Sequence, residues 1–268
     1  MSVPTDELLE VAVDVACAAG ETLRSFAERR AAGADLDVSS KTSATDPVSE
    51  ADRAAERLIA ARLAEVRPDD GLLAEEGQAR RRGSSGLRWV VDPLDGTVNF
   101  LYGVPTWCVS VACEDETGSV VGVVHDPNRD ETFRAARGGG AWCGERRLAV
   151  RAGADLAQTL VATGFAYAPA VRGEWGADVA DLLTRVRDVR RGGSAALDLA
   201  WTAAGRFDVY LEFGLQPWDW AAGSLLVAEA GGVLSRPVHR LGGEDRRGLL
   251  AGAAAAHDAL AGWLEGRR

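Results

Sequence analysis

The stretch Trp89-Val90-Val91-Asp92-Pro93-Leu94-Asp95-Gly96-Thr97-Val98-Asn99-Phe100 decides how this chain is read. Its opening residues are apolar and read as a buried strand. They run straight into Asp-Pro-Leu-Asp-Gly-Thr, so two carboxylates stand at a strand's carboxyl end, where the backbone turns. Proline fixes one φ angle and glycine admits an unusual one, which makes the turn stiff and tight. Two acids three residues apart at such a turn repel each other unless a cation or a proton lies between them. A hard divalent cation such as Mg²⁺ suits that arrangement, because it takes one or two carboxylates together with substrate oxygens.

The rest of the chain bounds the reading. With 268 residues, 47% of them hydrophobic, it fits one large domain or two closely packed subdomains. We expect a single domain over residues 1–268, antiparallel up to about residue 150 and alternating strand with helix beyond it. No apolar run approaches the ~20 residues needed to cross a bilayer. The start Met1-Ser2-Val3-Pro4-Thr5-Asp6 lacks the basic and apolar regions of a signal peptide, so a cytoplasmic location is expected. Cys17, Cys108, Cys113 and Cys143 have no metal-type spacing and read as free buried thiols. A net charge of −10 argues against a nucleic-acid footprint. Anionic small molecules stay open to such a protein where metals reverse the local field.

Along the chain, Thr5–Arg30 reads as an amphipathic helix with acids in its first turn. A second helix begins at Ser49 and closes before Pro68. A short strand at Leu72–Ala74 leads into Glu75-Glu76, and Arg80–Gly86 reads as a solvated loop before the strand Trp89–Val91. Strands follow at Trp107–Cys113, Val120–Val124 and Thr132–Ala135. In the second half, Leu160–Thr163 and Phe207–Glu212 read as strands. Helices are expected at Gly176–Arg187, Ser194–Ala204 and Trp218–Ala230, and Leu249–Ala251 with Asp258–Glu265 closes the chain.

Glu75, Asp92, Asp95 and Asp219 each fall at the end of an expected strand or the start of an expected helix. Asp219 alone reads equally as a helix cap, and Glu75-Glu76 alone as a solvated pair. Together with the surrounding sequence they say more. The Trp89–Phe100 stretch resembles the first signature of the inositol monophosphatase family, with Leu94 in place of the usual isoleucine. Trp218-Asp219-Trp220-Ala221-Ala222-Gly223, followed by Glu229-Ala230-Gly231-Gly232, resembles the second. Lys41…Asp46-Pro47-Val48-Ser49-Glu50-Ala51-Asp52 and Gly193-Ser194-Ala195-Ala196 extend the likeness over essentially the whole chain. Ala74 departs from it, standing where the family often has glycine.

That resemblance implies an α/β (α+β) fold, a five-layered αβαβα sandwich of the sugar-phosphatase type. It also implies a Mg²⁺-dependent, lithium-sensitive phosphatase with two to three ions per subunit, acting as a homodimer on a small phosphorylated polyol. By the same likeness, Glu75, Asp92 and the Leu94 carbonyl hold one metal, and Asp92, Asp95 and Asp219 a second. Glu75, with Asp52 through water, holds a weaker third. The spacing Ser49-x-x-Asp52 equally fits a capping box. Glu75 and Thr97 orient and deprotonate the attacking water, while Gly96 and Thr97 offer backbone N–H groups to phosphate. His125, His239 and His257 match no catalytic block and read as structural.

Substrate choice rests on Glu212 and the turn Gly193-Ser194-Ala195, which in the resemblance face the sugar-alcohol ring. Glu212 stands seven residues before Asp219. A carboxylate accepts hydrogen bonds from two neighbouring hydroxyls, although a solvated strand-end acid is the plainer alternative. Lys41, the chain's only lysine, falls in the loop that in relatives closes near the metals, or is a surface lysine. Inositol 1-phosphate leads this reading; histidinol phosphate, fructose 1,6-bisphosphate and adenosine 3′,5′-bisphosphate are its rivals, and a scaffold without activity is the alternative of another kind. Trp107 and Trp175 suit either a subunit interface or the core.

Overall fold

Two helices open the chain, and both bury a stripe spaced by three and four residues. The computed structural model describes residues 5–33, 39–40, 47–77, 80–152 and 155–267, with the backbone alone for 39–40 and 47–48. Helix α1 (Thr5–Ala31) buries Leu8, Ala12, Val15, Ala19, Leu23 and Phe26. The short strands β1 (Ser39–Ser40) and β2 (Pro47–Val48) pair with each other ahead of helix α2 (Glu50–Val66). Ser49 caps α2, and Asp52 returns the bond to the Ser49 backbone, which is the capping box that the sequence allowed.

The first sheet contains β3 (Gly71–Ala74), β4 (Arg88–Asp95), β5 (Cys108–Asp115), β6 (Gly118–Asp126), β7 (Glu131–Ala136), β8 (Gly140–Cys143) and β9 (Arg146–Arg147). They lie side by side in chain order; β3 and β4 run parallel and the rest antiparallel. A short helix, α3 (Thr97–Tyr102), separates β4 from β5. The second sheet is mixed. Strands β10 (Leu160–Thr163), β11 (Asp188–Arg190) and β12 (Val209–Phe213) run parallel. The hairpin β14 (Val238–Leu241) and β15 (Glu244–Gly252), with β13 (Val233–Ser235), adds antiparallel strands. Helices α4 (Pro169–Leu182), α5 (Ala195–Ala203), α6 (Pro217–Glu229) and α7 (Ala254–Glu265) complete the chain.

Three apolar cores stack these elements into five layers. Leu23, Ile59 and Leu63 of α1 and α2 meet Trp89, Val91 and Val111 on one face of the first sheet. Its other face, through Val90, Ala112 and Phe133, packs on Leu199 and Leu226 of α5 and α6, which also cover Tyr210 and Leu249 of the second sheet. Val209, Leu211 and Leu250 on the far face of that sheet pack on α4 and α7 through Trp175, Leu182 and Leu260. The αβαβα sandwich is therefore the observed fold. Trp107 and Trp175 are 3% and 2% exposed, so both belong to the core.

Several boundaries differ from the sequence reading. The helix expected at Gly176–Arg187 runs from Pro169 to Leu182. Proline suits the first turn of a helix, and past Leu182 the chain must turn back to pair with β10, beginning with Arg187 N–H to the Thr159 carbonyl. Helix α7 starts at Ala254 rather than Asp258. Strands β8, β9, β11, β13 and β14 have only two to four residues each, too few to display a period. Of the cysteines, Cys108 and Cys113 are buried thiols but Cys17 and Cys143 are only half-buried; all four are free. No helix among the described residues is long and apolar enough to cross a membrane.

Candidate active site

Strand β4 does not stop at Val91; it continues to Asp95 through an irregularity. Asp92 stands opposite Ser110 and Asp95 opposite Cys108, so three steps on β4 face two on β5. Side chains alternate along a regular strand, which would send Asp92 and Asp95 to opposite faces. The extra residue at Pro93–Leu94 restores the phase, and both carboxylates line one cavity. Proline has no N–H for the ladder and is tolerated at such a bulge. Gly96, at φ +95°, then turns the chain into α3.

The second sheet supplies the other wall. Because β10, β11 and β12 are parallel, their carboxyl ends share one edge, where ligands of such sheets bind. Gly164 to Tyr167 leave β10, Arg191 to Ala195 leave β11, and Phe213 to Gln216 leave β12; all but Gly192 line the cavity of about 820 Å³. Helix α6 adds Asp219 from its first turn, and Glu75 enters directly after β3.

Each acid is partly committed. Asp92 Oδ1 accepts the Leu94 N–H at 3.0 Å. Asp95 Oδ2 accepts Ser194 Oγ at 2.6 Å and the Ala196 N–H at 2.7 Å. The Asp219 carboxylate accepts the Gln216 N–H at 2.6 Å, so the capping reading of this residue holds as well. Glu212 accepts the Tyr210 hydroxyl at 2.7 Å. Asp52 sits outside the cavity wall, behind Thr97. Its Oδ2 accepts the Ser49 N–H and hydroxyl, at 2.9 and 2.5 Å, while Oδ1 lies 3.0 Å from Thr97 Oγ1. The Thr97 hydroxyl is also 3.1 Å from the Leu94 carbonyl.

Burial and mutual repulsion hold Asp92, Asp95, Glu212 and Asp219 above their ordinary values. Burial, then the charges of Glu75, Asp95 and Asp219, raises Asp92 well above 3.8. Burial and Asp95 do the same to Asp219, ahead of Glu75 and Glu212. Asp95 reaches about 6, raised by burial against the Ser194 and Ala196 hydrogen bonds that favour its charged form. Glu212 reaches about 7 through burial, with the Tyr210 hydrogen bond opposing. Glu75, Asp92, Asp95, Asp219 and the Leu94 carbonyl make an all-oxygen donor set of the kind that hard divalent cations take. A cation there would offset the repulsion that raises the three aspartates. Among the described residues no three His, Cys, Asp or Glu side chains stand close enough together to hold a metal ion as they are placed.

The expected residues Glu75, Asp92, Leu94, Asp95, Gly96, Thr97, Gly193, Ser194, Ala195, Glu212 and Asp219 all line this cavity. Lys41 lies outside the described residues. Ser194, in the turn expected to face the substrate ring, donates its hydroxyl to Asp95. Sequence reasoning gave no place in the wall to Arg53, Tyr167 and Arg246. They lie on elements far apart in the chain and carry no local signal. His125, His239 and His257 are buried away from it, bonded to Thr132, Asp178 and Ser235.

Comparison with known proteins agrees with this geometry. The pattern described as the inositol monophosphatase family matches residues 5–265. Inositol-1-monophosphatase of Mesorhizobium japonicum is 45% identical over 232 residues, 85% of either chain. A Pseudomonas aeruginosa protein named Nus factor SuhB is 42% identical over 240 residues, 85% of this chain and 84% of that one. The crystal structure of the extragenic suppressor protein suhB from Bartonella henselae superposes with a TM-score of 0.87 at 38% identity, covering 97% of this chain and 98% of that one. With acids from two sheets meeting in one cavity and a family pattern spanning both, this chain belongs to the inositol monophosphatase family and is a phosphatase.

Proposed function

We propose that the phosphatase hydrolyses inositol 1-phosphate to inositol and phosphate and depends on Mg²⁺. The observation that supports this reading is one cavity holding both the oxygen donor set and Glu212. Glu75, Asp92, the Leu94 carbonyl, Asp95 and Asp219 would hold the metal, with two to three ions per subunit. Bound Mg²⁺ supplies neutralisation of the phosphate oxygens and a water acidic enough to give hydroxide near neutral pH.

The residues of the chain divide the remaining work. Glu75 takes the proton of the attacking water. One hydroxyl proton serves one acceptor, so Thr97, donating to Asp52, keeps an oxygen lone pair to orient that water. As the water oxygen bonds to phosphorus, the ester oxygen departs with its electron pair and is protonated by water. Glu212 accepts hydrogen bonds from two neighbouring ring hydroxyls. Gly193 and Ala195 leave room for the ring.

The test is kcat/KM at fixed Mg²⁺ for inositol 1-phosphate, histidinol phosphate, fructose 1,6-bisphosphate and adenosine 3′,5′-bisphosphate. Inositol 1-phosphate is expected to lead; faster turnover of any other would overturn the substrate, and no dependence on Mg²⁺ would overturn the mechanism. Asp95→Asn should abolish turnover while the protein stays folded. The name of the Pseudomonas aeruginosa relative motivates one added arm, a search for a protein partner that the inactive variant still holds.

A further inference from the structure

Asp95 is set by donors that belong to a different sheet, and those donors are themselves held. Its Oδ2 accepts Ser194 Oγ and the Ala196 N–H. Both donors stand where the strap Arg191–Ser194 enters α5, so the orientation of Asp95 depends on where that strap lies.

We propose that Asn99 and Asp198 are positioning residues that grip Gly192 from two sides and thereby aim Asp95. The Asn99 amide nitrogen donates to the Gly192 carbonyl at 2.8 Å and to the Thr106 carbonyl at 2.7 Å, so both of its protons are used. It ties the strap of the second sheet to the segment that follows α3 of the first. On the other side the Asp198 carboxyl packs against Gly192. The approach is close: a Cβ on Gly192 would stand 2.3 Å from Asp198 Oδ1 and 3.0 Å from Oδ2. Asp198 is 1% exposed, and its Oδ1 has no hydrogen-bond partner among the described residues. A buried carboxylate so poorly satisfied is costly to keep, and holding the strap gives it a use. Neither Asn99 nor Asp198 lines the cavity, so both act through Gly192, Ser194 and Ala196.

This inference rests on the metal reading above, and its test reads metal binding without turnover. Mn²⁺ is titrated into the substrate-free protein and free Mn²⁺ is followed by electron paramagnetic resonance. Asn99→Asp keeps the shape of the side chain and loses both donors; Asp198→Ala loses the carboxyl that packs against Gly192. Each is expected to weaken Mn²⁺ binding by about tenfold or more, as losing the partner that orients a metal ligand does. Asp198→Asn keeps the shape that packs against Gly192 and should return the affinity close to that of the unaltered protein. Should Asn99→Asp fail to fold, Gly192→Ala takes its place, because its methyl group forces the strap away from Asp198. Unaltered Mn²⁺ affinity in the folded variants, with only the melting temperature lowered, would overturn the positioning role. An unaltered protein that binds no Mn²⁺ would overturn the metal reading itself, and this inference with it.

Discussion

An alanine at position 164 would carry its methyl carbon 2.0 Å from Glu212 Oε2, 2.2 Å from Cδ and 2.3 Å from Oε1. Gly164 is not among the glycines with positive φ, so the backbone accepts alanine and the whole effect is this contact. Ordinary contacts lie near ~3.5 Å, so the Glu212 carboxylate must retreat by more than about 1 Å. Its bond from the Tyr210 hydroxyl, 2.7 Å long, has to stretch or break in the process. A hydrogen bond to a charged group is worth about 1.5–3 kcal/mol. Losing one such bond to a ring hydroxyl should therefore lower kcat/KM for inositol 1-phosphate by about 10- to 100-fold. The loss should appear mainly in KM. Hydrolysis of p-nitrophenyl phosphate, which offers no ring hydroxyls, should change by less than about threefold. Steady-state kinetics on the two substrates checks this. Equal losses on both would mean that Glu212 does not hold the leaving group, and no loss on either would refute the assigned contact.

The acid set makes stability in EDTA depend on pH with a definite sign. Asp95 and Glu212 titrate at about 6 and about 7 in the folded protein, above their ordinary 3.8 and 4.5. The folded state thus binds protons more tightly than the unfolded one, and this contribution to stability is lost as pH rises through about 6 to 7. For Glu212 the loss is roughly 3 kcal/mol once both states are ionised. In EDTA the melting temperature should fall between about pH 5 and about pH 7.5, and added Mg²⁺ should restore it most at the upper end; a flat profile counts against the reading. Thr97→Val should lower kcat by about 100-fold, with Thr97→Ser keeping most of it, in stopped assays at saturating Mg²⁺. Phe100→Ala should cost about 3–5 kcal/mol in urea unfolding. That ring is 1% exposed and meets Trp107 edge-on at 5.1 Å. A loss under ~1 kcal/mol would mean the site collapses around the cavity.

Much of the site was legible because its chemistry is written in short segments. Asp92-Pro93-Leu94-Asp95-Gly96-Thr97 holds two acids, a stiff turn and a hydroxyl within six residues, and Trp218-Asp219-Trp220 marks a helix start. Long helices such as α1 and α2 were legible for the same reason: a period of 3.6 residues repeats often enough to be read. Short strands such as β9 and β11 repeat nothing and acquire their form only from a neighbour across the sheet.

The sequence by itself determined the family, the five layers and the acidic residues that gather in the cavity. The phase of those residues came from tertiary structure alone. Asp92 and Asp95 face the same cavity because β5 pairs with β4 across a bulge at Pro93–Leu94, a relation between two strands that neither segment encodes. Ser194 holds Asp95 from 99 positions away, and Gly164 leaves room for Glu212 on the neighbouring strand. Such contacts form only when strands pair and sheets pack, and local spacing carries no record of them.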